Sequence, residues 1–407
     1  MEPGPEQDGE LAARRLLAYL GTAMIATGQP AHEVEQEVRE LGQQLGHPDV
    51  QVAAGATGIT LALRSGAPAT YESVDGPLRL DQGADVRLLR QRLLTGAITP
   101  DEAEAVLLGL RAKRLPYPGW VASLGYVAIS AGIGLILQPG WANVLAAALG
   151  GVLVVGLLQA AGRRPALTAL VPTAAALLVG LLVFSAADAG WIDGPLRTAL
   201  PPLAVLLPGA LLVTGLAELA AGHMVAGASR LLYGVVQLVL FALGLSAAAA
   251  LLRTPARELA NIRVDSPGWW VAPLGLVVIL VGIAALEGVS VAQAPWVGLV
   301  LVGTFLAQLA GQQLGSAPLG AFLGALAASL GATVVELVRP ELPRLVVFMP
   351  SFWLLVPGSL GLIGVSQVAV GDTASWYDVV SLVGAIAVGL MLGTTVRALR
   401  AGAPRRR

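Results

Sequence analysis

The stretch PGWVASLGYVAISAGIGLIL, residues 118–137, contains twenty residues and no charged side chain. About twenty apolar residues span the hydrocarbon core of a bilayer, so this stretch predicts a transmembrane helix. The stretch PGWWVAPLGLVVILVGIAAL, residues 267–286, repeats its pattern. Two glycines recur at an offset of 150 residues, Gly125 as Gly275 and Gly132 as Gly282. The two stretches therefore predict a membrane part made of two related halves.

The composition separates a soluble part from a membrane part. Of the 407 residues, 56% are hydrophobic and 13% are charged, whereas a soluble domain carries roughly a quarter charged residues. The charges are concentrated in residues 1–115, and nearly everything after Gly119 is apolar. The net charge of −1 gives no indication of a nucleic-acid partner, and the lack of cysteine excludes disulfides, thiolate metal sites and cysteine nucleophiles. There is no GxxxxGK(S/T) motif, so the chain itself is not expected to use ATP, and no metal or other cofactor is predicted.

Residues 1–115 predict a small α+β domain. Apolar residues recur at helical spacing in residues 30–46, and residues 50–54, 59–63 and 70–74 predict three short strands, followed by a helix over 81–94. The sequence Thr99-Pro100-Asp101-Glu102 is a capping box with proline at the first helical position, so a last helix begins there. Residues 14–28 place two arginines before an apolar stretch and could be a signal peptide, but an amphipathic first helix is favoured because a patterned domain follows.

The remainder of the chain predicts ten transmembrane helices, in residues 119–137, 141–160, 166–186, 196–217, 228–251, 268–287, 294–312, 317–337, 345–369 and 375–396. Cytoplasmic loops carry more arginine and lysine than outer loops. With the N-terminal domain inside, thirteen basic residues lie in inner loops and the C-terminal tail, against four in outer loops, Arg197, Arg253, Arg257 and Arg263. Both termini are therefore predicted in the cytoplasm. The discordant loop 253–263 is expected to form a short helix on the outer surface.

Each predicted half contains five helices, in residues 116–255 and 256–407. Two prolines recur at an offset of 149 residues, Pro201 as Pro350 and Pro208 as Pro357. An odd number of helices makes the second half start on the opposite side of the membrane, so the repeats are inverted, as is typical of secondary transporters. The predicted fold is a polytopic α-helical membrane protein with ten transmembrane helices in two inverted five-helix repeats and a small N-terminal α+β cytosolic domain.

The stretch LLPGALLVTG, residues 206–215, predicts a break in the fourth helix, and LLVPGSLGLIG, residues 354–364, the corresponding break in the ninth. The seven-residue spacing of each proline pair places both prolines on one helix face. A half-helix that starts at the break points backbone donors at a pocket, which suits the carboxylate of an amino acid; a plain proline kink is the alternative. The residues predicted to bind substrate are Pro208, Gly209, Thr214, Asn143, Pro357, Gly358 and Ser359.

Acidic residues lie near predicted helix ends rather than at a midplane, so no chain of proton-carrying groups is visible in the sequence. Glu218 is the best candidate for a coupling or gate residue, because it follows the break on the same helix; a carboxylate solvated at the membrane surface is the alternative. Its counterpart in the second half is Gln367. Arg230 is assigned to the same coupling or gate region, but an anchor to the cytoplasmic face is favoured over a partner of Glu218.

His32 and Glu35 lie one helical turn apart in the N-terminal domain and could form a metal or acid–base pair. Two ligands do not make a metal site, and the HExxH motif is missing. An ordinary exposed helix face is therefore favoured for this pair, and a regulatory or gating role is favoured for the domain.

The order of these parts resembles the threonine/serine exporter family. The resemblance is carried by residues 27–46 with the following strands, by the helices that begin with Gly-Trp, and above all by PGALLVTGLAELAAGHMVAGASRL, residues 208–231. By this resemblance, Pro208-Gly209 matches the break of the family and Glu218 its acidic position, usually aspartate, followed by Gly222, Gly227 and Arg230. Ala31 stands where a small hydroxyl residue is usual, and Asn143 where an acidic residue is often found.

The resemblance implies an exporter of threonine and serine in the bacterial inner membrane, driven by the proton motive force with protons as the coupling ion. We therefore expect a transporter and not an enzyme, with the lipid bilayer as its environment; a homo-oligomer is compatible with the sequence. Two alternatives stay open. One is a membrane-tethered hydrolase or peptidase with the N-terminal domain as catalyst, although an anchor needs one or two helices rather than ten. The departures at Ala31 and Asn143 weaken the hydrolase idea and a second acidic coupling site. The other is a small-solute channel.

Overall fold

The computed structural model describes residues 5–260, 262–339, 342, 344–355 and 375–401. Its helices are α1 (Pro5–Ala26), α2 (Ala31–Gln44), α3 (Leu80–Leu94), α4 (Pro100–Leu110), α5 (Gly119–Leu137), α6 (Trp141–Arg163), α7 (Val171–Asp188), α8 (Pro195–Thr198), α9 (Leu200–Leu203), α10 (Gly209–Ala220), α11 (Met224–Leu251), α12 (Val271–Glu287), α13 (Ala294–Leu314), α14 (Ala317–Val338), α15 (Arg344–Leu355) and α16 (Ser375–Ala401). The strands are β1 (Gln51–Ala54), β2 (Gly58–Ala62) and β3 (Thr70–Ser73).

The chain forms two compact units that do not follow a single cut in the sequence. The first unit contains Met1–Pro116 together with two later segments, Thr214–Leu231 and Glu336–Val346. The second unit contains Tyr117–Val213, Leu232–Val335 and Val347–Arg407. The N-terminal domain therefore shares one unit with the turn that joins α10 to α11 and with the end of α14.

The N-terminal domain has the predicted order of elements. Helices α1 and α2 pack on an antiparallel sheet of strand order β1-β2-β3, in which Val52 lies opposite Leu61, and α3 and α4 pack against α1. Helix α1 places Leu16, Leu17 and Leu20 in a core that is closed to solvent. Residues 14–28 thus include part of a core helix of this domain, as favoured from the pattern. The predicted capping box is also present, since the Glu102 N–H donates to the Thr99 hydroxyl and the Glu102 carboxylate accepts from the Thr99 N–H.

Six helices of the described residues are long and apolar enough to cross a membrane, Gly119–Leu137, Trp141–Arg163, Ala166–Asp188, Met224–Leu251, Ala294–Leu314 and Ala317–Val338. Four shorter apolar helices accompany them, Gly209–Ala220, Val271–Glu287, Val346–Leu355 and Val380–Thr395. Several uncharged runs of this length indicate a polytopic helical membrane protein, as the composition predicts.

Within the second unit, α5 and α12 pack against each other through glycine. A Cβ atom added to Gly125 would lie 2.7 Å from the Gly282 carbonyl oxygen, and one added to Gly132 would lie 2.9 Å from the Gly275 carbonyl oxygen. Real Cβ atoms essentially never approach that closely, so the two backbones touch where side chains would otherwise separate them. Small residues at such positions are the usual means by which membrane helices approach each other.

The fourth predicted membrane segment, residues 196–217, is not one helix. Two single-turn helices, α8 and α9, precede a non-helical stretch over residues 204–208, and α10 begins only at Gly209. Pro201 and Pro208 therefore do not share a helix face, and that part of the sequence prediction is wrong. The physical reason is the density of prolines at 201, 202 and 208, each of which removes a backbone donor from a continuous helix.

Candidate functional site

The predicted break at Pro208 is present in the structure. Pro208 lacks an N–H, so the Ala204 carbonyl cannot form the bond that a continuous helix would make to residue 208. The carbonyl of Pro208 instead accepts the Leu212 N–H at 3.0 Å, and helix α10 begins at Gly209. Pro208 and Gly209 are buried. The corresponding residues of the second predicted break, Pro357, Gly358 and Ser359, lie outside the described residues.

Asn143, another predicted substrate ligand, is buried at the start of α6. Its Nδ2 donates to the Asp193 carbonyl and to the Thr198 hydroxyl, both at 2.8 Å. The Thr198 hydroxyl in turn donates to the Gly194 carbonyl at 3.0 Å. The Asn143 amide thus holds the turn between α7 and α8 in place. Thr214, also a predicted ligand, lies half-buried on α10.

The α10–α11 turn is built by glycine at three positions. Gly222 has φ +89°, a left-handed conformation that glycine adopts without strain, and it reverses the chain after α10. Before and after the turn, a Cβ on Gly215 would lie 2.8 Å from the Gly227 carbonyl oxygen, and one on Gly227 would lie 2.7 Å from the Gly215 carbonyl oxygen. The two helices therefore meet backbone to backbone, which brings the side chains beside these glycines within reach of each other.

Glu218 and Arg230 use this close approach to form a buried ion pair. The Arg230 Nη1 donates to Glu218 Oε1 at 2.7 Å, and the Glu218 side chain is 0% exposed. Arg230 was expected to anchor the chain to the cytoplasmic face rather than to pair with Glu218. That expectation is wrong, because the guanidinium of Arg230 is buried and contacts the Glu218 carboxylate. Nor is Glu218 a carboxylate solvated at the surface. Burying two charges is costly, and such pairs persist where each charge compensates the other.

The same carboxylate oxygen accepts a second donor from the N-terminal domain. The backbone N–H of Ala31 lies 2.7 Å from Glu218 Oε1. Ala31 is the first residue of α2, whose N-cap residue Pro30 makes no side-chain cap. The first N–H groups of a helix have no partner within the helix, and the positive end of the helix dipole attracts an anion. Glu218 therefore caps α2 from a helix that lies far away in sequence.

Two histidines lie next to these contacts. The imidazole rings of His32 and His223 have centroids 5.5 Å apart and are tilted by 37°. His32 follows Ala31 on α2, and the His223 backbone N–H donates to the Glu218 carbonyl at 2.9 Å. Sequence reasoning missed His223 altogether; its one signal is its place directly after the glycine that reverses the chain.

Glu35 does not join His32 in an acid–base pair of the kind that their spacing suggests. Its carboxylate accepts the Ala54 N–H at 3.0 Å, at the end of β1, so it fixes the sheet against α2. Among the described residues there is no group of three or more His, Cys, Asp and Glu side chains arranged to hold a metal ion.

Glu336, at the end of α14, is a second acidic residue that contacts the N-terminal domain. It forms an ion pair with Arg87 of α3, and its side chain is largely buried. Glu218 and Glu336 thus each bind a different helix of this domain, α2 and α3, within the first compact unit.

Comparison with known proteins identifies the family of the chain. Residues 15–252 match the sequence profile of the threonine/serine exporter family. This span includes Glu218, Arg230, His32 and His223. The chain is also 26% identical over 405 residues to a Mycobacterium tuberculosis protein named "Probable threonine/serine exporter", covering 94% of this chain and 74% of that protein. No solved structure matches the chain. Because the family profile matches more than half of its length, the chain belongs to the threonine/serine exporter family.

Proposed function

We propose that the protein is a secondary-active exporter of small neutral hydroxy amino acids, threonine and serine, driven by the proton motive force. Membership of the family supports amino-acid export by a multi-pass membrane protein rather than catalysis by an enzyme. The observation that carries the coupling part of the proposal is the fully buried carboxylate of Glu218, which lies on α10, the helix that begins at Gly209. Charged side chains are almost never fully buried in proteins unless they are paired.

The architecture we propose has ten transmembrane helices in two inverted repeats. Support comes from the packing of α5 on α12. At the offset of 150 residues, Gly125 corresponds to Gly275 and Gly132 to Gly282; yet Gly125 meets Gly282, and Gly132 meets Gly275. Such exchanged contacts are what a two-fold relationship between the repeats predicts, because residue i of one copy then touches residue j of the other and the reverse.

The isoleucines between these glycines follow the same rule. Ile129 and Ile279 also correspond at an offset of 150. A Cβ on Gly282 would lie 2.8 Å from Ile129 Cγ1, and a Cβ on Gly132 would lie 2.7 Å from Ile279 Cγ1. The reciprocity therefore extends from the glycines to the side chains that fill the spaces beside them.

For the orientation, we propose that the N-terminal domain, residues 1–115, and both termini lie in the cytoplasm, with membrane repeats at residues 116–255 and 256–407. Two of the four arginines in predicted outer loops have a structural role. Arg197 Nε donates to the Leu137 carbonyl at 3.0 Å, and Arg263 Nη2 donates to the Ile136 carbonyl at 3.2 Å. Both side chains thus donate hydrogen bonds to the last carbonyls of α5. This structural role accounts for two arginines in outer loops, although arginine and lysine are generally more frequent in cytoplasmic loops.

For the substrate, we propose that the start of α10 binds the carboxylate of the amino acid. The first N–H groups of a helix and its positive dipole end suit an anion. Pro208 and Gly209 would shape this end, and Thr214 would offer a hydroxyl to the polar substrate. Pro357, Gly358 and Ser359 would act likewise in the second repeat, while Asn143 would contribute through the turn that its amide holds.

For the coupling, both donors to Glu218 bind the same oxygen, Oε1. Protonation of this carboxylate would weaken its bonds to Arg230 and to the start of α2, because a hydrogen bond to a charged acceptor is about twice as strong as one to a neutral acceptor. Export of an amino acid can therefore be linked to proton uptake at a single residue.

The test is efflux of threonine from proteoliposomes that contain the full chain, with an imposed pH gradient. The Glu218→Gln variant should still be inserted, but its efflux should no longer respond to the gradient. Unchanged pH dependence would contradict the role of Glu218, and no threonine efflux by the unaltered protein would contradict the substrate. Electrogenic flux without counter-ion coupling would indicate a channel instead.

A further inference from the structure

One oxygen of the Glu218 carboxylate accepts hydrogen bonds, and the other accepts none. Oε1 accepts from both Ala31 and Arg230, whereas Oε2 is buried and has no hydrogen-bond partner among the residues that the structure describes. An ionised carboxylate has about four acceptor positions, and a protonated one becomes a donor. A buried oxygen that accepts no hydrogen bond is the natural place for a proton, because a proton bound there leaves both donors to Oε1 in position.

The two histidines are partly open to water, and Glu218 is not. Both imidazoles are half-buried, whereas the Glu218 carboxylate is fully buried. His32 Nδ1 is itself buried and has no hydrogen-bond partner within the described residues. Histidine is the side chain that changes charge most readily near neutral pH, and it commonly carries protons between water and buried groups.

The histidines come from different elements but attach to the same residue. His32 is the residue after Ala31, whose backbone N–H donates to the Glu218 side chain. The backbone N–H of His223 donates to the Glu218 carbonyl. The rings are 5.5 Å apart. At this separation a charge on one imidazole acts directly on the other, so the two rings form one site.

We propose that His32 and His223, together with Glu218, form a proton-binding site through which the N-terminal domain takes part directly in the coupling of transport. The ligand is a single proton, which the imidazole pair accepts from water and shares with Glu218 Oε2. When the proton passes to the carboxylate, the imidazole becomes neutral again. Helix α11 carries one charged residue, Arg230. Helix α2 carries Glu35, which accepts from Ala54; Glu37 and Glu40, which pair with Arg90 of α3; and also Glu33 and Arg39. This inference rests on the proposed proton-driven export.

The chain offers a matched control, because it contains only three histidines. The third, His47, lies beyond the other end of α2, and its backbone N–H binds the Gly42 carbonyl. In proteoliposomes, His32→Gln and His223→Gln should each change the dependence of threonine efflux on pH. The double variant should behave like either single one, because both residues serve one site. His47→Gln should have the profile of the unaltered protein.

A second measurement does not depend on transport. Isotope-labelled histidine in the detergent-solubilised full chain gives three side-chain signals, assigned by the three single variants. The pH at which the His32 signal moves should change when His223 is replaced or when Glu218 is replaced by glutamine, and not when His47 is replaced. If the protein exports no threonine but the two signals titrate together, the proposed function fails and the site stands. Independent titration of His32 and His223, or additive effects of the two variants on efflux, would overturn the site.

Discussion

The backbone N–H of Ala31 donates a 2.7 Å hydrogen bond to the carboxylate of Glu218, a residue 187 positions later in the chain. The bond joins the first turn of a helix in the N-terminal domain to a helix that also carries the break at Pro208. A carboxylate at a helix N-terminus contributes about 1–2 kcal/mol in a buried geometry, since it satisfies an orphan donor and faces the positive dipole end. This contact makes the N-terminal domain part of the coupling site that we propose.

The Ala31→Pro variant should break this bond selectively. Proline is tolerated at the first position of a helix, and Pro30 already has the extended backbone that a residue before proline prefers. The helix should therefore persist while the donor to Glu218 is lost, with a cost of about 1.5–3 kcal/mol for a hydrogen bond to a charged group. Melting temperature in detergent and the pH profile of efflux would both change. Ala31→Ser keeps the N–H and serves as the control; equal behaviour of the two variants would contradict the role of the bond.

Removal of Arg230 should destabilise the protein more than removal of the whole ion pair. Arg230→Leu leaves the buried Glu218 carboxylate uncompensated, which costs about 3–5 kcal/mol. The double variant Arg230→Leu with Glu218→Leu should recover part of that loss. Thermal unfolding of the two single variants and the double variant forms a complete cycle. Simple additivity would show that the two side chains do not depend on each other.

The glycine contact between α5 and α12 should not tolerate even one methyl group. Gly125→Ala and Gly282→Ala should each lower the melting temperature, because the new Cβ would lie 2.7 Å from a carbonyl oxygen of the other helix. Gly156→Ala on α6 and Gly303→Ala on α13 are the controls, since a Cβ there meets nothing within 4 Å. Alanine favours a helix over glycine by about 1 kcal/mol, so the controls should be neutral or slightly stabilised. Equal effects at all four positions would rule out the close contact.

Pro208→Ala should impair export and leave insertion intact. Alanine restores the missing N–H and favours a helical backbone by about 3 kcal/mol over proline, so the break before α10 should tend to close. Threonine efflux from preloaded proteoliposomes would measure the loss. Pro172→Ala, at the first turn of α7 where proline is compatible with a helix, is the control. Normal efflux by the Pro208 variant would remove the break from the mechanism.

The start of α4 should lose stability in acid. The hydrogen bond from the Thr99 backbone N–H, followed by that from its hydroxyl, lowers the pKa of Glu102 below its ordinary value of 4.5. Because the pKa is lower in the folded chain, the carboxylate stabilises the helix start above pH 4.5, and this contribution is lost as the pH falls through the lowered pKa. Hydrogen exchange of the first α4 amides should speed up accordingly. Glu102→Gln should abolish that pH dependence, and its persistence would assign it to another group.

The N-terminal domain could be predicted almost completely, because its signals are local. Strand residues with turn signals between them gave three strands that the structure confirms at nearly the same positions, and the Thr99 capping box depends on residues three apart. The prediction that Pro201 and Pro208 share a helix face was wrong because it assumed a helical backbone between them and ignored the donors that clustered prolines remove.

Local sequence signals of this kind predicted only part of the candidate site. The pairing of Arg230 with Glu218 follows from Gly215 and Gly227, whose spacing across a turn could have indicated two touching helices. The capping of α2 could not be inferred, since its donor is a backbone group and every residue has one. His223 had no periodic or motif context and becomes noticeable only beside His32.

The contact of Gly125 with Gly282 also bears on how the second unit can move. Where two backbones touch without intervening side chains, sliding along the common axis drives each carbonyl into the neighbouring chain, whereas a small rotation about the point of contact does not. Helices α5 and α12 can therefore rotate slightly against each other but cannot slide along each other. Any rocking that alternates access between the two sides of the membrane should keep this contact and displace the helices farthest from it.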